Sequence, residues 1–413
     1  MDILKTADPE IYAAMELERN RQREGLEMIP SENYVSPAVL QTLGSILTNK
    51  YSEGYPGKRY YGGNQFIDVI ENTARQRACQ LFGVQHANVQ PYSGSPANQA
   101  VYLALADPGD TVLGMSLPHG GHLTHGWNVN FSGKIYSAVQ YGVDRQTHLI
   151  NCDEVWRIAK ETRPKIIWVG ATAYPRFFDY ARFAEIARNV GAYLAADIAH
   201  VAGLIVAGVH PSPAPFADVL TTTTHKTLRG PRGAMILCTD AVAERIDKAV
   251  FPGLQGGPHD HQTAAIAVAL KEAALPGFKT YGAQVVKNAK ALADELMRRG
   301  YTLITGGTDN HLMIVDLTNK GVTGKQAQDV LDAAGITVNR NTVPYDPRPP
   351  YNPSGIRLGT PALTTRGMKE AEMAQIAEWI DQLLQSKGDE RVGARVRGAI
   401  HDLTAQFPVP GSE

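Results

Sequence analysis

Short apolar runs alternate with longer amphipathic stretches through the middle of the chain. Runs rich in β-branched and aliphatic residues lie at 111–115, 134–139, 165–170, 192–197, 219–224 and 234–238. Helical stretches separate several of them, at 97–106, 154–161 and 181–190. Strands that alternate with helices predict a mostly parallel sheet covered by helices on both faces. Ligands of such sheets bind at the carboxyl ends of the strands, so functional side chains are expected there.

The two ends of the chain have a different pattern. Asp8-Pro9-Glu10 is typical of a helix start and predicts a polar helix to about Arg23. After His259 the pattern predicts helices at 264–274, 284–299, 325–334 and 369–385, and strands at 312–317 and 336–339. We therefore expect a smaller α+β unit near the C-terminus. The final stretch from Phe407, rich in Pro, Gly and Ser, is expected to fray.

Composition and charge exclude several classes of protein. The 413 residues are 43% hydrophobic and carry 40 basic against 41 acidic side chains, a net charge of −1, so a basic field for nucleic acid is not expected. Apolar runs are shorter than the ~20 residues of a membrane helix, and the charged N-terminus lacks a signal-peptide core. Cys79, Cys152 and Cys238 fit neither a disulfide framework nor a metal knuckle. We expect a soluble, cytoplasmic protein without nucleic-acid or membrane partners.

Residues 29–65 are unusually rich in Tyr, Gly and charged residues. Such a run does not match a buried periodic element, so it predicts irregular structure. Two interpretations stay open at this point, an ordinary surface loop and a binding loop held on a rigid scaffold.

Charged residues follow two of the predicted strands. Asp197 closes the apolar run 192–196, with His200 three residues later, and Lys226 follows the Thr-rich run that ends at 224. An acid that closes a buried strand is costly unless a cation meets it. A lysine near other cations, here Arg229, acquires a depressed pKa and becomes a usable nucleophile. Taken singly, each residue also fits a helix cap or a solvated surface position.

Two further motifs suggest ligand contacts. Ser93-Gly94-Ser95-Pro96 precedes the predicted helix 97–106, where free backbone N–H groups favour an anion. Histidines recur at 119, 122 and 125, a spacing that invites a metal-site interpretation. Gly120-Gly121 breaks any helix that would align these rings, so we expect no metal site and favour an aromatic platform for a planar ligand.

These features have one common solution. Pyridoxal 5′-phosphate requires a lysine for its Schiff base, an acid on the pyridine nitrogen and a helix end for the phosphate. All three are predicted near sheet ends in this chain.

The sequence resembles serine hydroxymethyltransferase over nearly its whole length. The matching segments are IPSEN at 29–33, KYSEGYPGKRYYGG at 50–63, HGGHLTHG at 119–126, DIAHVAGL at 197–204, TTHKTLRGPRG at 223–233, QGGP at 255–258 and GIRLGT at 355–360. The resemblance implies the α/β fold of fold-type I pyridoxal-phosphate-dependent transferases, similar to aspartate aminotransferase, with a mostly parallel seven-stranded sheet. It also implies an N-terminal arm and dimer-contact loop at 1–70, a large cofactor domain at 71–275 and a small C-terminal α+β domain at 276–413.

The resemblance implies reversible transfer of the serine hydroxymethyl group to tetrahydrofolate, the co-substrate, giving glycine and 5,10-methylenetetrahydrofolate. Lys226 would form the Schiff base. The implied catalytic residues are Lys226, Glu53, Tyr61, His122 and His200. The implied cofactor-binding residues are Tyr51, Ser93, Gly94, Ser95, His122, Thr172, Asp197, His200, His225, Lys226 and Gly257. The implied substrate- and folate-binding residues are Ser31, Glu53, Tyr61, His200, Arg357, Leu117, Gly121, Leu123 and Asn341.

Quaternary structure is also implied. In the resembled family Tyr51, Glu53 and Tyr61 would act on the cofactor of the neighbouring subunit, so an obligate homodimer with shared active sites is expected. Pairing of dimers into tetramers stays open.

Some positions depart from the family pattern, namely Pro96, Thr172, Gly126-Trp127-Asn128 and Pro350-Tyr351-Asn352-Pro353. They leave open an α-methylserine hydroxymethyltransferase or a 3-hydroxy-amino-acid aldolase that uses the same catalytic residues. A non-catalytic binding protein is the alternative from another class, against which the presence of Lys226, Glu53 and Arg357 counts.

Overall fold

A computed structural model describes residues 3–411 of the chain. Its strands are β1 Leu26–Glu27, β2 Gly54–Tyr55, β3 Lys58–Arg59, β4 His86–Asn88, β5 Thr111–Met115, β6 Ser137–Tyr141, β7 Ile166–Val169, β8 Tyr193–Asp197, β9 Val219–Thr223, β10 Ala234–Cys238, β11 Thr302–Leu303, β12 Leu312–Asp316, β13 Ile336–Thr337, β14 Asn339–Asn341 and β15 Gly355–Gly359. Its α-helices are α1 Ile3–Ala7, α2 Pro9–Glu24, α3 Pro37–Leu43, α4 Gln65–Phe82, α5 Gly94–Leu105, α6 Phe131–Ile135, α7 Cys152–Thr162, α8 Tyr180–Val190, α9 Ala202–Val206, α10 Asp240–Lys248, α11 Asp260–Ala273, α12 Pro276–Arg298, α13 Gly324–Ala333, α14 Pro361–Thr365, α15 Glu370–Gln385 and α16 Glu390–Gln406.

The central sheet has seven strands in the order β4-β10-β9-β8-β7-β5-β6. The five strands from β9 to β6 pair in parallel, and β10 pairs antiparallel with both β9 and β4. The predicted mostly parallel seven-stranded sheet is therefore confirmed.

Helices cover both faces of this sheet because its strands are apolar on both sides. Alternate residues along one strand enter different cores: Ile166 and Trp168 pack toward α5 and α10, whereas Ile167 and Val169 pack toward α4, α7, α8 and α11. All the residues of β7, β9 and β10 are buried. This double burial explains why these strands appear in the sequence as continuous apolar runs.

A second sheet, ordered β11-β12-β15-β14, lies in the C-terminal part of the chain. Helices α12, α13, α15 and α16 share its core, and Leu26 and Met28 from the N-terminal segment join it. Strand β1 pairs in parallel with β13, so the N-terminal segment is fastened to this unit.

The second sheet also orients an arginine. Ile356 and Leu358 of β15 enter the shared core, and side chains alternate along a strand, so Arg357 between them points to the opposite face. That face looks toward the loop that follows β7, where Thr172 lies.

Several local expectations were wrong or incomplete. The predicted strand 134–139 begins inside α6, because the Asn130 side chain accepts a hydrogen bond from the backbone N–H of Ser132 and starts a helix there. The predicted strand 336–339 is divided between β13 and β14, and the predicted helix 284–299 begins at Pro276. The end from Phe407 is held rather than frayed as far as it is described, since Val409 packs on Tyr34 and Ala362.

Within residues 3–411, the structure contains no helix that combines the length and the apolar character needed to cross a membrane.

Candidate active site

The acid and the lysine predicted to be functional lie at the carboxyl ends of β8 and β9. Asp197 is the last residue of β8, and Lys226 lies three residues after β9 ends. One small cavity is lined by Gly94, Asn98, His122, Ala171, Thr172, Asp197, Ala199, His200, Thr223 and Lys226. Six residues chosen from the sequence therefore meet around one space: Gly94, His122, Thr172, Asp197, His200 and Lys226.

Asp197 is the most completely bonded of these groups. Its Oδ2 accepts hydrogen bonds from His125 Nε2 at 3.2 Å and from Asn98 Nδ2 at 2.9 Å. Its Oδ1 accepts from the backbone N–H of Ala199 at 3.1 Å. Burial alone would raise the pKa of Asp197, but the hydrogen bond and charge of His125, with His122 and Lys226, hold that pKa far below its usual range. The carboxylate is therefore ionised at neutral pH.

The ring of His122 is held from one edge. Its Nδ1 lies 2.7 Å from Thr124 Oγ1 and accepts the backbone N–H of Thr124 at 3.3 Å. Asn98 Nδ2 also donates to Thr124 Oγ1 at 2.8 Å. Burial lowers the pKa of His122 to about 4, so the ring is neutral and suited to lie against a planar ligand.

The loop that carries Lys226 is fixed by its backbone. Asn33 Nδ2 donates to the carbonyl oxygen of Lys226 at 3.0 Å, and Thr227 Oγ1 donates to the carbonyl oxygen of His200 at 2.9 Å. Burial lowers the pKa of the Lys226 amine to about 8, with Arg357 and Arg232 acting in the same direction and Asp197 opposing them. An appreciable share of the amine is therefore neutral near physiological pH.

Arg357 links the two sheets at the site. Its Nη1 donates to the carbonyl oxygen of Thr172 at 2.6 Å and its Nε donates to Asn339 Oδ1 at 3.1 Å. Burial lowers the pKa of Arg357 to about 10, which still leaves the guanidinium charged at pH 7. The segment that precedes Ser31 packs on the same strand, because a Cβ on Gly359 would lie 2.7 Å from Pro30.

The start of α5 forms a cradle for an anion. Ser93 is the N-cap residue, Gly94 and Ser95 form the first turn, and free backbone N–H groups there attract negative charge. A Cβ on Gly94 would lie 2.8 Å from Thr223 Cγ2, so a larger residue would crowd the cavity. His225, beside Lys226, has a buried Nδ1 without a hydrogen-bond partner in the described chain, and burial lowers its pKa to about 3.

These residues fit pyridoxal 5′-phosphate. The anion cradle, the neutral ring of His122, the ionised Asp197 and the partly neutral Lys226 surround one cavity. A second buried nitrogen, His200 Nε2, also has no partner within residues 3–411. An orphaned buried polar atom at a cavity is expected where a ligand supplies the missing hydrogen bond.

A separate cluster contains Tyr51, Glu53, Tyr61 and Gly257. The Tyr51 hydroxyl donates to Glu53 Oε1 at 3.0 Å, and the Tyr51 and Tyr61 rings meet edge to face at 5.1 Å. Gly257 lies against the Tyr51 ring, where an added Cβ would be 3.2 Å away. None of these four residues lines the cavity around Lys226 in its own chain.

The four residues assigned to folate lie around the His122 turn and in the second sheet. Leu117 and Leu123 begin short 3₁₀ turns on either side of His122, and Gly121 packs so closely that a Cβ would lie 2.0 Å from the Met115 carbonyl oxygen. Asn341 ends β14, and its Nδ2 donates to the Thr342 carbonyl oxygen at 2.7 Å.

Three residues at the site were missed from the sequence. Asn98 follows Gly94 by four residues, so one helical turn places both on the same side of α5; that spacing was a usable signal. His125 was noticed only as one of three spaced histidines. His311 packs on His200, and no local pattern marks it, because only the fold brings the two together.

His122, His125 and Asp197 also place ligand-type atoms within 4.8 Å of one another. The contacts described above already engage His122 Nδ1, His125 Nε2 and Asp197 Oδ2 within the chain. A hydrogen-bonded acid beside a fixed ring accounts for this group.

A lysine, an ionised acid, a flat neutral ring and an anion cradle at parallel strand ends define a fold-type I pyridoxal-phosphate enzyme. The family profile described as serine hydroxymethyltransferase matches residues 4–380. The chain is 61% identical over 99% of its length to a serine hydroxymethyltransferase of Acidothermus cellulolyticus, 97% of which is covered. It is 58% identical over 99% of its length to that of Sorangium cellulosum, with 96% covered, and 58% identical over its full length to that of Desulfotalea psychrophila, with 97% covered.

The chain therefore belongs to the serine hydroxymethyltransferase family. The predicted family, fold class and enzyme class are confirmed, as are pyridoxal phosphate as cofactor and tetrahydrofolate as co-substrate. The comparisons favour the main functional prediction over the α-methylserine and aldolase alternatives.

Proposed function

We propose that the cavity around Lys226 is where this chain transfers the hydroxymethyl group of serine to tetrahydrofolate, giving glycine and 5,10-methylenetetrahydrofolate. The observation that carries this proposal is the meeting of Lys226 with Asp197 and His122 at one cavity on the carboxyl edge of the sheet. Lys226 supplies the amine that holds the cofactor, and its partial neutrality at pH 7 suits a nucleophile.

The bound cofactor supplies an electron sink for the pair of electrons released when the serine Cα–Cβ bond breaks. Asp197 favours the protonated pyridine nitrogen because it remains ionised and is preorganised by His125 and Asn98. His122 would lie against the cofactor ring, and Thr172 and His200 would face its phenolic oxygen. Ser93, Gly94 and Ser95 would hold the phosphate, joined by Tyr51 and Gly257 from a second copy of the chain, and His225 would also bind the cofactor.

Substrate and folate contacts complete the site. Arg357 and Ser31 bind the substrate carboxylate, for which a charged guanidinium is suited. Glu53 moves the proton at the hydroxymethyl oxygen, and Tyr61 assists it. Tetrahydrofolate binds against the residues that flank the His122 turn and the end of β14, namely Leu117, Gly121, Leu123 and Asn341.

We further propose that two copies of the chain form the working unit. Tyr51, Glu53, Tyr61 and Gly257 lie apart from the Lys226 cavity of their own chain, so they are free to complete the cavity of a partner subunit. The Tyr51 and Tyr61 rings touch and are both exposed, at 53% and 49%, and Ile46 and Phe66 in the same stretch of sequence are exposed at 83% and 72%. An exposed apolar patch is typical of an interface.

The division into an arm at 1–70, a cofactor domain at 71–275 and a C-terminal domain at 276–413 is part of the same proposal. A cytoplasmic location is consistent with the free thiols of Cys79, Cys152 and Cys238.

The direct test measures glycine formed from serine with and without tetrahydrofolate, and repeats the assay with α-methylserine and 3-phenylserine. We expect folate-dependent turnover of serine that is lost in Lys226→Ala. Folate-independent turnover that favours either alternative substrate would overturn the proposal. Glu53→Gln should slow the folate-dependent reaction far more than cofactor loading; loss of loading would contradict the role given to Glu53.

A further inference from the structure

His311 lies at the point where the C-terminal sheet meets the cavity. It precedes β12 and is fully buried, with 0% of its surface exposed. Its carbonyl oxygen accepts the Thr360 backbone N–H at 3.1 Å, and its neighbour Asn310 donates to the Tyr174 carbonyl oxygen at 3.1 Å. The backbone that carries the ring is therefore tied to β15 through Thr360 and to the loop after β7 through Tyr174.

A ring nitrogen of His311 contacts a ring nitrogen of His200. His200 Nδ1 and His311 Nε2 are 3.2 Å apart, and the ring centroids are 5.4 Å apart at 26°. The other nitrogens, His200 Nε2 and His311 Nδ1, are buried without a partner within residues 3–411. His200 lines the cavity around Lys226, so its unpartnered nitrogen is available to a ligand there.

Both rings are neutral at physiological pH. Burial, with the charges of Lys226 and Arg357, lowers the pKa of His200 well below its usual value, and burial with Arg357 does the same for His311. Each neutral imidazole carries one N–H proton, and the hydrogen bond between the two rings contains one of these two protons. Which ring donates that proton decides whether His200 Nε2 is a donor or an acceptor.

The surroundings favour one of the two arrangements. If His200 donated from Nδ1, the proton of His311 would sit on its buried Nδ1 with nothing to receive it, and His200 would turn a lone pair toward the cavity. If His311 donates from Nε2, its Nδ1 carries no proton and is an acceptor without a donor. A buried acceptor without a partner is less costly than a buried N–H without one. His200 then carries its proton on Nε2, ready to donate to an oxygen anion.

We propose that His311 is a positioning residue that fixes the tautomer of His200, so that His200 donates from Nε2 to the phenolic oxygen of the bound cofactor. This inference rests on the proposed function for the identity of that oxygen. The relay between the two histidines itself rests on the contacts within the chain.

The first test uses the unmodified apoprotein labelled with ¹⁵N-histidine. Imidazole ¹⁵N shifts distinguish protonated from bare ring nitrogens, and the His200 signals are assigned by their loss in His200→Gln. We expect a protonated Nε2 and a bare Nδ1 for His200. The reverse pattern would overturn the proposal, and this measurement requires no variant of His311.

The second test titrates the visible absorbance of the cofactor-loaded protein with pH. His311→Phe should raise the midpoint by about one pH unit, because a hydrogen bond to an oxygen anion is lost. His311→Gln, whose amide N–H can replace Nε2–H, should keep the midpoint close to that of the wild type. His86→Phe is the matched control, since the His86 ring is also hydrogen-bonded through Nε2, to Asp247, but lies in the edge strand β4, and it should leave the midpoint unchanged.

The outcomes separate the two proposals. A wild-type protein that shows neither a cofactor band nor serine turnover contradicts the proposed function. A wild-type protein that shows both, with His311→Phe titrating like His86→Phe, contradicts only the role of His311.

Discussion

Asn98 joins the acid and the ring of the site through a single amide nitrogen. Its Nδ2 donates to Asp197 Oδ2 at 2.9 Å and to Thr124 Oγ1 at 2.8 Å, and Thr124 in turn holds His122. Because Asn98 lies in the second turn of α5, the helix that begins at the anion cradle also sets the positions of the acid and the ring. The Asn98 side chain therefore links the acid and the ring to the helix that carries the anion cradle.

Asn98→Ala should therefore weaken cofactor binding about tenfold and destabilise the fold by about 1–3 kcal/mol, because it removes hydrogen bonds from buried groups. The cofactor dissociation constant and the denaturant midpoint measure these effects. Gln99→Ala, one position along the same helix, should change neither. Equal cofactor dissociation constants and denaturant midpoints for the two variants would contradict this role of Asn98.

Asp197→Asn should abolish most of the activity. The substitution keeps the shape of the side chain but removes the charge that favours a protonated pyridine nitrogen. We expect turnover to fall at least about 100-fold, comparable to removal of one electrostatic contact in other active sites. Asp218→Asn is the control, because Asp218 bonds the backbone N–H of Leu194 near the amino end of β8. Comparable turnover in the two variants would contradict the role of Asp197.

The capture of cofactor by apoprotein should depend on pH through Lys226. With a pKa of about 8, about a tenth of the amine is neutral at pH 7, against roughly one part in three thousand at the ordinary value of 10.5. The capture rate should therefore rise with pH and level off above about 8. A midpoint near the ordinary value would show that burial does not act on this amine.

Substitutions of charged neighbours should move that midpoint in opposite directions. Asp197→Asn removes the charge that favours protonated Lys226 and should lower the midpoint. Arg232→Gln removes an opposing cation and should raise it. Shifts of the same sign would contradict the electrostatic assignment.

The loop that carries Tyr51 and Glu53 depends on a buried arginine. Arg59 is paired with Asp68 at 2.9 Å and with Glu71 at 2.6 Å, and it also donates to the Ser52 and Gly54 carbonyl oxygens. Arg59→Met leaves Glu71 buried without its cation, which should cost about 3–5 kcal/mol of unfolding free energy. Thermal and denaturant unfolding measure this loss.

Arg157→Met is the matched comparison for that loss. Arg157 makes a similar number of ion pairs, but on the exposed face of α7, where solvent screens them. Its unfolding midpoint should stay within experimental error of the wild type. A loss as large as that of Arg59→Met would show that burial is not what makes the Arg59 pairs important.

The central sheet was predictable because its strands are buried on both faces and appear as unbroken apolar runs, as at Ile166–Val169 and Ala234–Cys238. Strand β15 gave no such signal, since it begins and ends with glycine and a charged Arg357 lies at its centre. Asp197 and Lys226 were found because each stands where a predicted strand ends. His311 and Asn98 act through contacts with distant residues, and only Asn98 had a helical spacing that could have revealed it.

In the proposed dimer, Lys226 of one copy and Glu53 of the other complete one active site. Two differently tagged chains, one with Lys226→Ala and the other with Glu53→Gln, are co-expressed and the mixed dimer is purified by both tags. Each homodimer should be nearly inactive, whereas the mixed dimer should recover about half the wild-type activity, because one of its two sites has both residues. A mixed dimer as inactive as the homodimers would show that Lys226 and Glu53 of different copies do not form one site.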